Sequence, residues 1–141
     1  MQEGGYYKFN NQEEIEMANF THEISMDEDN HLIHLVVRGE LNKSEGERII
    51  IETRTLAAES DSNILCDISR ATITASLADW FYLARNKEIY PSAPQEKTAI
   101  LINPDAMKLY KFVEDVTQNV GLKIRVFLKR EDAMAWLKKV G

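Results

Sequence analysis

The stretch TAILINPDAMKLYKFVEDVTQNVGLKIRVFL, residues 98–128, decides the fold. It opens on Thr98 to Ile102, a short run that is apolar apart from the threonine and is bounded by turn formers, which is the pattern of a buried strand. Asn103 and Pro104 follow as a helix N-cap and a proline at the first helical position, where the missing N–H has no bond to lose. Ala106, Leu109, Val113, Val116 and Val120 then recur at three- and four-residue spacing, so they share one helical face. Gly121 suits the left-handed residue that ends such a helix. Leu122 to Leu128 reads as a second strand. Strand, helix and strand in one short stretch form a crossover unit, and a crossover implies a parallel sheet.

The same grammar extends outward. Upstream, Ile64 to Ile68 is a short buried strand. Before it, Asn42 precedes Glu45 by three residues, a capping-box spacing. A helix over Lys43 to Glu59 would bury Ile49, Ile50, Leu56 and Ala57 and break at Asp61-Ser62-Asn63. Ser76-Leu77-Ala78-Asp79 is a further capping pattern, followed by Leu77, Trp80, Phe81 and Ala84 at helical spacing and stopped by Pro91 and Pro94. Downstream, Ala133, Trp136, Leu137 and Val140 share a face of a last helix. Its first turn holds Glu131 and Asp132 and its last Lys138 and Lys139, in keeping with the helix dipole. At the other end, Phe20, Ile24 and Met26 alternate with His22 in phase. A polar turn follows at Asp27 to Asn30. Leu32 to Val37 is apolar on both faces, as a central strand requires. The expected fold class is α/β: a mostly parallel sheet of about five strands, with an antiparallel edge hairpin and four helices joined by right-handed crossovers. Residues 1–18 read as an acidic tail, or as a short amphipathic arm using Tyr6, Tyr7, Phe9, Ile15 and Met17. Residues 19–141 read as a single domain.

Charge narrows the partners. The net charge is −6. Residues 1–31 hold eight acidic side chains against one base, Lys8, while the rest is nearly neutral, with sixteen bases and fifteen acids. Nucleic acid and anionic membranes select basic surfaces, so neither is expected as a partner. Cys66 is the only cysteine, so no internal disulfide can form. The first residues have neither a basic nor an apolar signal region, and no apolar run approaches the ~20 residues of a membrane span, so the expected compartment is the cytoplasm.

Chemistry-bearing constellations are sparse. The histidines are His22, His31 and His34. His31 and His34 lie three apart on a strand and so point to opposite faces. No metal set, nucleophile elbow, phosphate loop or dinucleotide fingerprint is present, and no catalytic residue, metal or cofactor is expected. Asp67 stands near the carboxyl end of a strand, where open α/β sheets bind ligands. Ser69, Arg70, Thr72 and Thr74 follow it, and the loops at Asn103 and at Lys129-Arg130 should open on the same edge. Asp67, Ser69, Arg70, Thr72, Asn103 and Arg130 are therefore candidates for a small polar or anionic ligand. The plainer reading is a solvated loop in which Asp67 bonds nearby amides. Trp80, Tyr82, Leu83 and Tyr90, with Met107, Tyr110 and Phe112, give two helices more apolar surface than one core face needs. They form either a wide buried face or a partner or homodimer patch.

The order of elements, the segment Ile64-Leu65-Cys66-Asp67-Ile68-Ser69, the run Thr98 to Ile102 and the ending Val126 to Leu137 together resemble the STAS fold. More narrowly, they resemble its stage II sporulation protein AA-like branch. There the last helix commonly carries an acid, an alanine and Trp-Leu, matched by Glu131, Ala133, Trp136 and Leu137. The parent family includes anti-sigma-factor antagonists, in which a serine of an Asp-Ser-(Ser/Thr)-Gly motif is phosphorylated by a partner kinase. Ser76 falls at that serine's place. Ala75 replaces the aspartate, Leu77 the next hydroxyl residue and Ala78 the glycine. Ser76 is a possible phosphosite on that resemblance, and a helix N-cap on its own chemistry. The resemblance implies a non-catalytic regulatory module acting through protein contacts. The alternative is a carrier of a small apolar or anionic ligand, which requires an internal cavity of several hundred Å³, roughly the usual pocket range. A hydrolase using Asp67 and a nearby hydroxyl is the third class.

Overall fold

Strand order follows chain order in this fold. The computed structural model describes residues 20–74, 76, 79 and 96–139. Within them one sheet holds β1 (Phe20–Asp27), β2 (Leu32–Leu41), β3 (Asn63–Ile73), β4 (Lys97–Leu101) and β5 (Lys123–Phe127), arranged in that order. β1 pairs antiparallel with β2, and the pairs β2–β3, β3–β4 and β4–β5 are parallel. The helices among the described residues are α1 (Lys43–Ser60), α2 (Met107–Asn119) and α3 (Arg130–Lys138), with a 3-10 turn at Pro104–Ala106. That is three helices against the four expected. The fourth, behind Ser76, falls largely on residues outside the described ones.

Register sorts the side chains. Ile24, Leu35, Cys66, Ile100 and Val126 align across the strands and share one face. There they pack with Ile49 of α1 and with Tyr110 and Val113 of α2. On the opposite face Leu32, Leu65, Ala99 and Leu101 pack against Ala133 and Leu137 of α3. The sheet is thus the middle of three layers, which is how a parallel sheet buries both faces.

Local chemistry sets the boundaries. Asn42 and Glu45 complete the capping box, each side chain accepting the other's amide N–H at 2.9 Å. α1 stops where Asp61 turns left-handed at φ 51°. α2 stops at Gly121, whose φ of 88° an L side chain resists. Its amide donates to Gln118 O and that of Leu122 to Thr117 O, both at 3.0 Å.

Four expectations change. In α1 the buried stripe is Ile49, Thr53 and Ala57; Ile50 is half-buried and Leu56 exposed. Thr53 can be buried because its hydroxyl donates to Ile49 O at 2.7 Å. In α2 the stripe is Tyr110, Val113, Glu114, Val116 and Thr117, turned from the expected one. Tyr110, expected at a partner surface, is 3% exposed and lies in the core; Met107 is half-buried against the same core. β3 runs to Ile73 rather than ending at Ile68, so Ser69, Arg70 and Thr72 are strand residues and not a loop. Trp136 is half-buried at the rim of α3 rather than inside. Its ring lies 5.8 Å from that of Phe127, with the Lys97 ammonium and the Arg125 guanidinium over it at 5.4 and 5.9 Å.

Lys97 ties α3 to the sheet. Only 7% exposed, its ammonium donates to Trp136 O at 3.1 Å and to Lys139 O at 2.5 Å, satisfying carbonyls that a helix end leaves without partners. Asn63 adds a bridge, accepting the Lys97 amide at 2.8 Å and donating to Leu137 O at 3.3 Å.

Candidate functional site

β3, β4 and β5 run parallel, so their carboxyl ends meet at one sheet edge. Asp67, Leu101 and Phe127 stand level across them. At this height β3 carries a bulge. Val36 pairs with Asp67 and Arg38 with Arg70, so Val37 alone faces both Ile68 and Ser69. Asp67 holds the bulge: one carboxylate oxygen accepts the Ser69 amide at 3.0 Å and the Ser69 hydroxyl at 2.6 Å. Its other oxygen accepts from Arg130, in the first turn of α3, at 3.3 Å. Asp67, Ser69 and Arg130 therefore come together as the sequence suggests.

The remaining loop candidates do not join them. Arg70 and Thr72 are exposed, and Asn103 caps its own turn by accepting the Asp105 amide at 2.9 Å. Thr74 donates its amide and its hydroxyl to Leu41 O, at 2.9 and 3.3 Å. The cluster is held together by its own hydrogen bonds, and exposed pairs such as Arg130–Asp67 contribute little stability.

Ser76 is exposed and is occupied as a cap. Its hydroxyl accepts the Asp79 amide at 3.1 Å while its own amide donates to the Asp79 carboxylate at 2.9 Å. The hydrogen bond from the Ser76 amide holds the Asp79 carboxyl below the ordinary aspartate value, helped by the Ser76 hydroxyl and Lys43. Trp80, Tyr82, Leu83 and Tyr90, the other candidate interface residues, lie outside the described residues.

Beneath α1 and α2 the sheet leaves a cavity of about 120 Å³. Leu35, Cys66, Thr98, Ile100, Tyr110 and Val113 are among its lining, with Gly46 of α1 above them. Burial and the neighbouring Asp67 push the Cys66 thiol up to about 12, and burial with Cys66 nearby raises the Tyr110 phenol as well, so neither ionises near neutral pH. The Thr53 and Thr117 hydroxyls turn back onto the carbonyls of their own helices. The Thr98 hydroxyl, on a residue 8% exposed, has no hydrogen-bond partner. The linear reading missed this cavity. Two signals mark it: a threonine in the apolar run of β4 and a glycine inside a helix.

No group of acids, histidines and cysteine able to hold a metal occurs among the described residues. No described helix is long and apolar enough to cross a membrane.

An ordered five-stranded mixed sheet with helices on both faces, entered through a hairpin, is the STAS architecture of anti-sigma factor antagonists. Among solved structures, an anti-sigma factor antagonist from Mycobacterium paratuberculosis matches at a TM-score of 0.57 and 13% identity, over 85% of this chain and 95% of that one. An uncharacterised protein with a SpoIIAA-like fold from Shewanella loihica matches at 0.49 and 19% identity, over 84% and 93% of the two chains. At these identities the likeness is one of fold. No protein-family model and no curated protein matches the chain.

Proposed function

We propose that this protein is a non-catalytic regulatory module of STAS type that acts by binding another protein through the carboxyl edge of its sheet. The observation that carries this reading is the way the polar groups of that edge saturate one another. Asp67 takes three donors from Ser69 and Arg130, Asn103 caps its own turn, and Ser76 and Asp79 cap each other. A catalytic site keeps groups poised toward substrate; a recognition surface needs fixed ones. The antagonist-like fold supports the same reading. The cavity is too small for a lipid chain, which weighs against a carrier.

The test is native mass spectrometry of the purified protein, joined to pull-downs with wild type and Arg130→Glu. The reading expects a specific protein retained by wild type and lost from Arg130→Glu, with both forms equally folded by circular dichroism. A co-purifying small molecule with no protein partner would favour the carrier. Equal capture by both forms would move the contact away from this edge.

A further inference from the structure

The cavity under α1 and α2 goes beyond the protein-contact reading and does not depend on it. Its walls are almost wholly side-chain carbon from Leu35, Val37, Ile49, Ile100, Val113 and Ile124. Among the described lining residues, Thr53 and Thr117 spend their hydroxyls on their own helices, at 2.7 Å and at 2.9 and 3.0 Å. Thr98 is the exception: it is buried, it lines the space, and its hydroxyl has no hydrogen-bond partner.

Water is a poor occupant. A buried water is held by 2–4 polar partners, and apolar cavities of roughly this size stay dry and take up benzene. A charged ligand is a poor occupant too, because an ion stripped of water needs a counter-charge. Arg54, which borders the space, already pairs with Glu96 at 2.8 Å. An aliphatic chain of lipid length exceeds the volume. What remains is one small ring with one polar atom.

Gly46 points the same way. A methyl group there would meet only Leu41, at an ordinary 3.7 Å, yet the position inside α1 is occupied by the residue that suits a helix interior least after proline. The space is kept open at some cost to the helix.

We propose that this cavity is a binding site for a small, neutral, single-ring molecule with one hydrogen-bonding atom, the Thr98 hydroxyl being its polar contact. Occupancy would bridge α1, the sheet and α2, the three parts that line the space.

Phenol, benzene and benzoate are the probes. They are titrated into the full chain and followed by methyl NMR and by thermal melting, in wild type, Thr98→Val and Thr98→Ser. The expected result is saturable shifts at Leu35, Ile100 and Val113 with phenol, weaker binding of benzene, and none of benzoate. Thr98→Val should cut the preference for phenol over benzene about fivefold, the factor of one net hydrogen bond. Thr98→Ser should keep it. Because Thr98→Val removes only an unpartnered hydroxyl, it should fold as well as wild type. No shift with phenol or benzene, binding of benzoate as tight as phenol, or a phenol preference unchanged in Thr98→Val would each overturn the proposal.

Discussion

Glu114 of α2 accepts the backbone N–H of Val126 in β5 at 2.8 Å. The glutamate is 5% exposed, and Lys111 donates to its other oxygen at 2.7 Å. β5 is the last strand of the sheet, so this amide has no strand to donate to. An edge strand with free amides invites pairing with another chain, and covering the edge prevents it. A buried acid on the inward stripe of α2 is therefore an edge cover.

Replacing Glu114 with alanine should cost roughly 2–3 kcal/mol, because it strands the Val126 amide in the interior. Glu114→Gln keeps an acceptor and should lose roughly half as much or less. Urea melts of the three forms check the order. A Glu114→Ala variant as stable as wild type would show that the amide finds water.

Cys66 sets an alkaline limit. Folding holds its thiol protonated, its value pushed from 9.0 up to about 12. The folded form binds the proton where the unfolded form has released it. The stabilisation is whole below pH 9 and is lost as pH climbs from 9 toward 12. The slope should reach at most about 1.4 kcal/mol per pH unit. Urea midpoints at pH 8, 9 and 10 should fall in wild type and stay flatter in Cys66→Ala, whatever the offset between the two curves. Parallel curves would refute the assignment.

Gly46→Ala should stabilise the fold by roughly 0.5–1 kcal/mol, since the helix gains propensity and the methyl group meets nothing closer than Leu41 at 3.7 Å. Chemical denaturation reads the gain directly. A loss would mean that the alanine methyl disturbs the packing around Leu41.

Trp136→Ala should cost about 1–2 kcal/mol, less than the ~3–5 kcal/mol of a fully buried tryptophan, because the ring is only half-buried and part of its contribution is the cations above it. Trp136→Phe should retain most of it. A melt showing a loss above 3 kcal/mol for the alanine variant would place the ring deeper than its contacts imply.

Ser76→Ala should lose about 1 kcal/mol with its cap oxygen, while Ser76→Asp should keep both the oxygen and the stability. If Ser76→Asp instead abolished binding to a partner that Ser76→Ala retained, a phosphate-type switch would be operating at this position. Melting curves read beside a pull-down separate the two.

Much of this molecule is legible as periodicity. The hairpin, three of the crossover strands and the Asn42–Glu45 cap follow from spacing and turn chemistry alone. The misses share a cause, which is that a linear pattern does not show what a polar group bonds to. Thr53 and Glu114 look like surface residues until their partners, Ile49 O and the Val126 amide, are known. Tyr110 looks like surplus aromatic surface until α2 is seen rotated toward it. Asp67, Ser69 and Arg130 were legible as a group because parallel strands end together. Thr98 and the cavity were not, since a void has no residue of its own.

The second half of β3 was hidden by its bulge. Counting alternate residues inward from Ile64, through Cys66 and Ile68, puts Arg70 and Thr72 in the core, and such a strand reads as ended. The structure instead spends one extra residue, and Ala71 and Ile73 return to the inner face. The bulge is in effect a spare position. A chain lacking Ser69 would set Ile68 opposite Val37 and leave every later side chain of β3 facing as it does now. A chain lacking one residue between Ile64 and Asp67 would turn the strand inside out. Lineages of this protein can therefore vary in length at this point of a central strand, where single-residue deletions are otherwise ruinous.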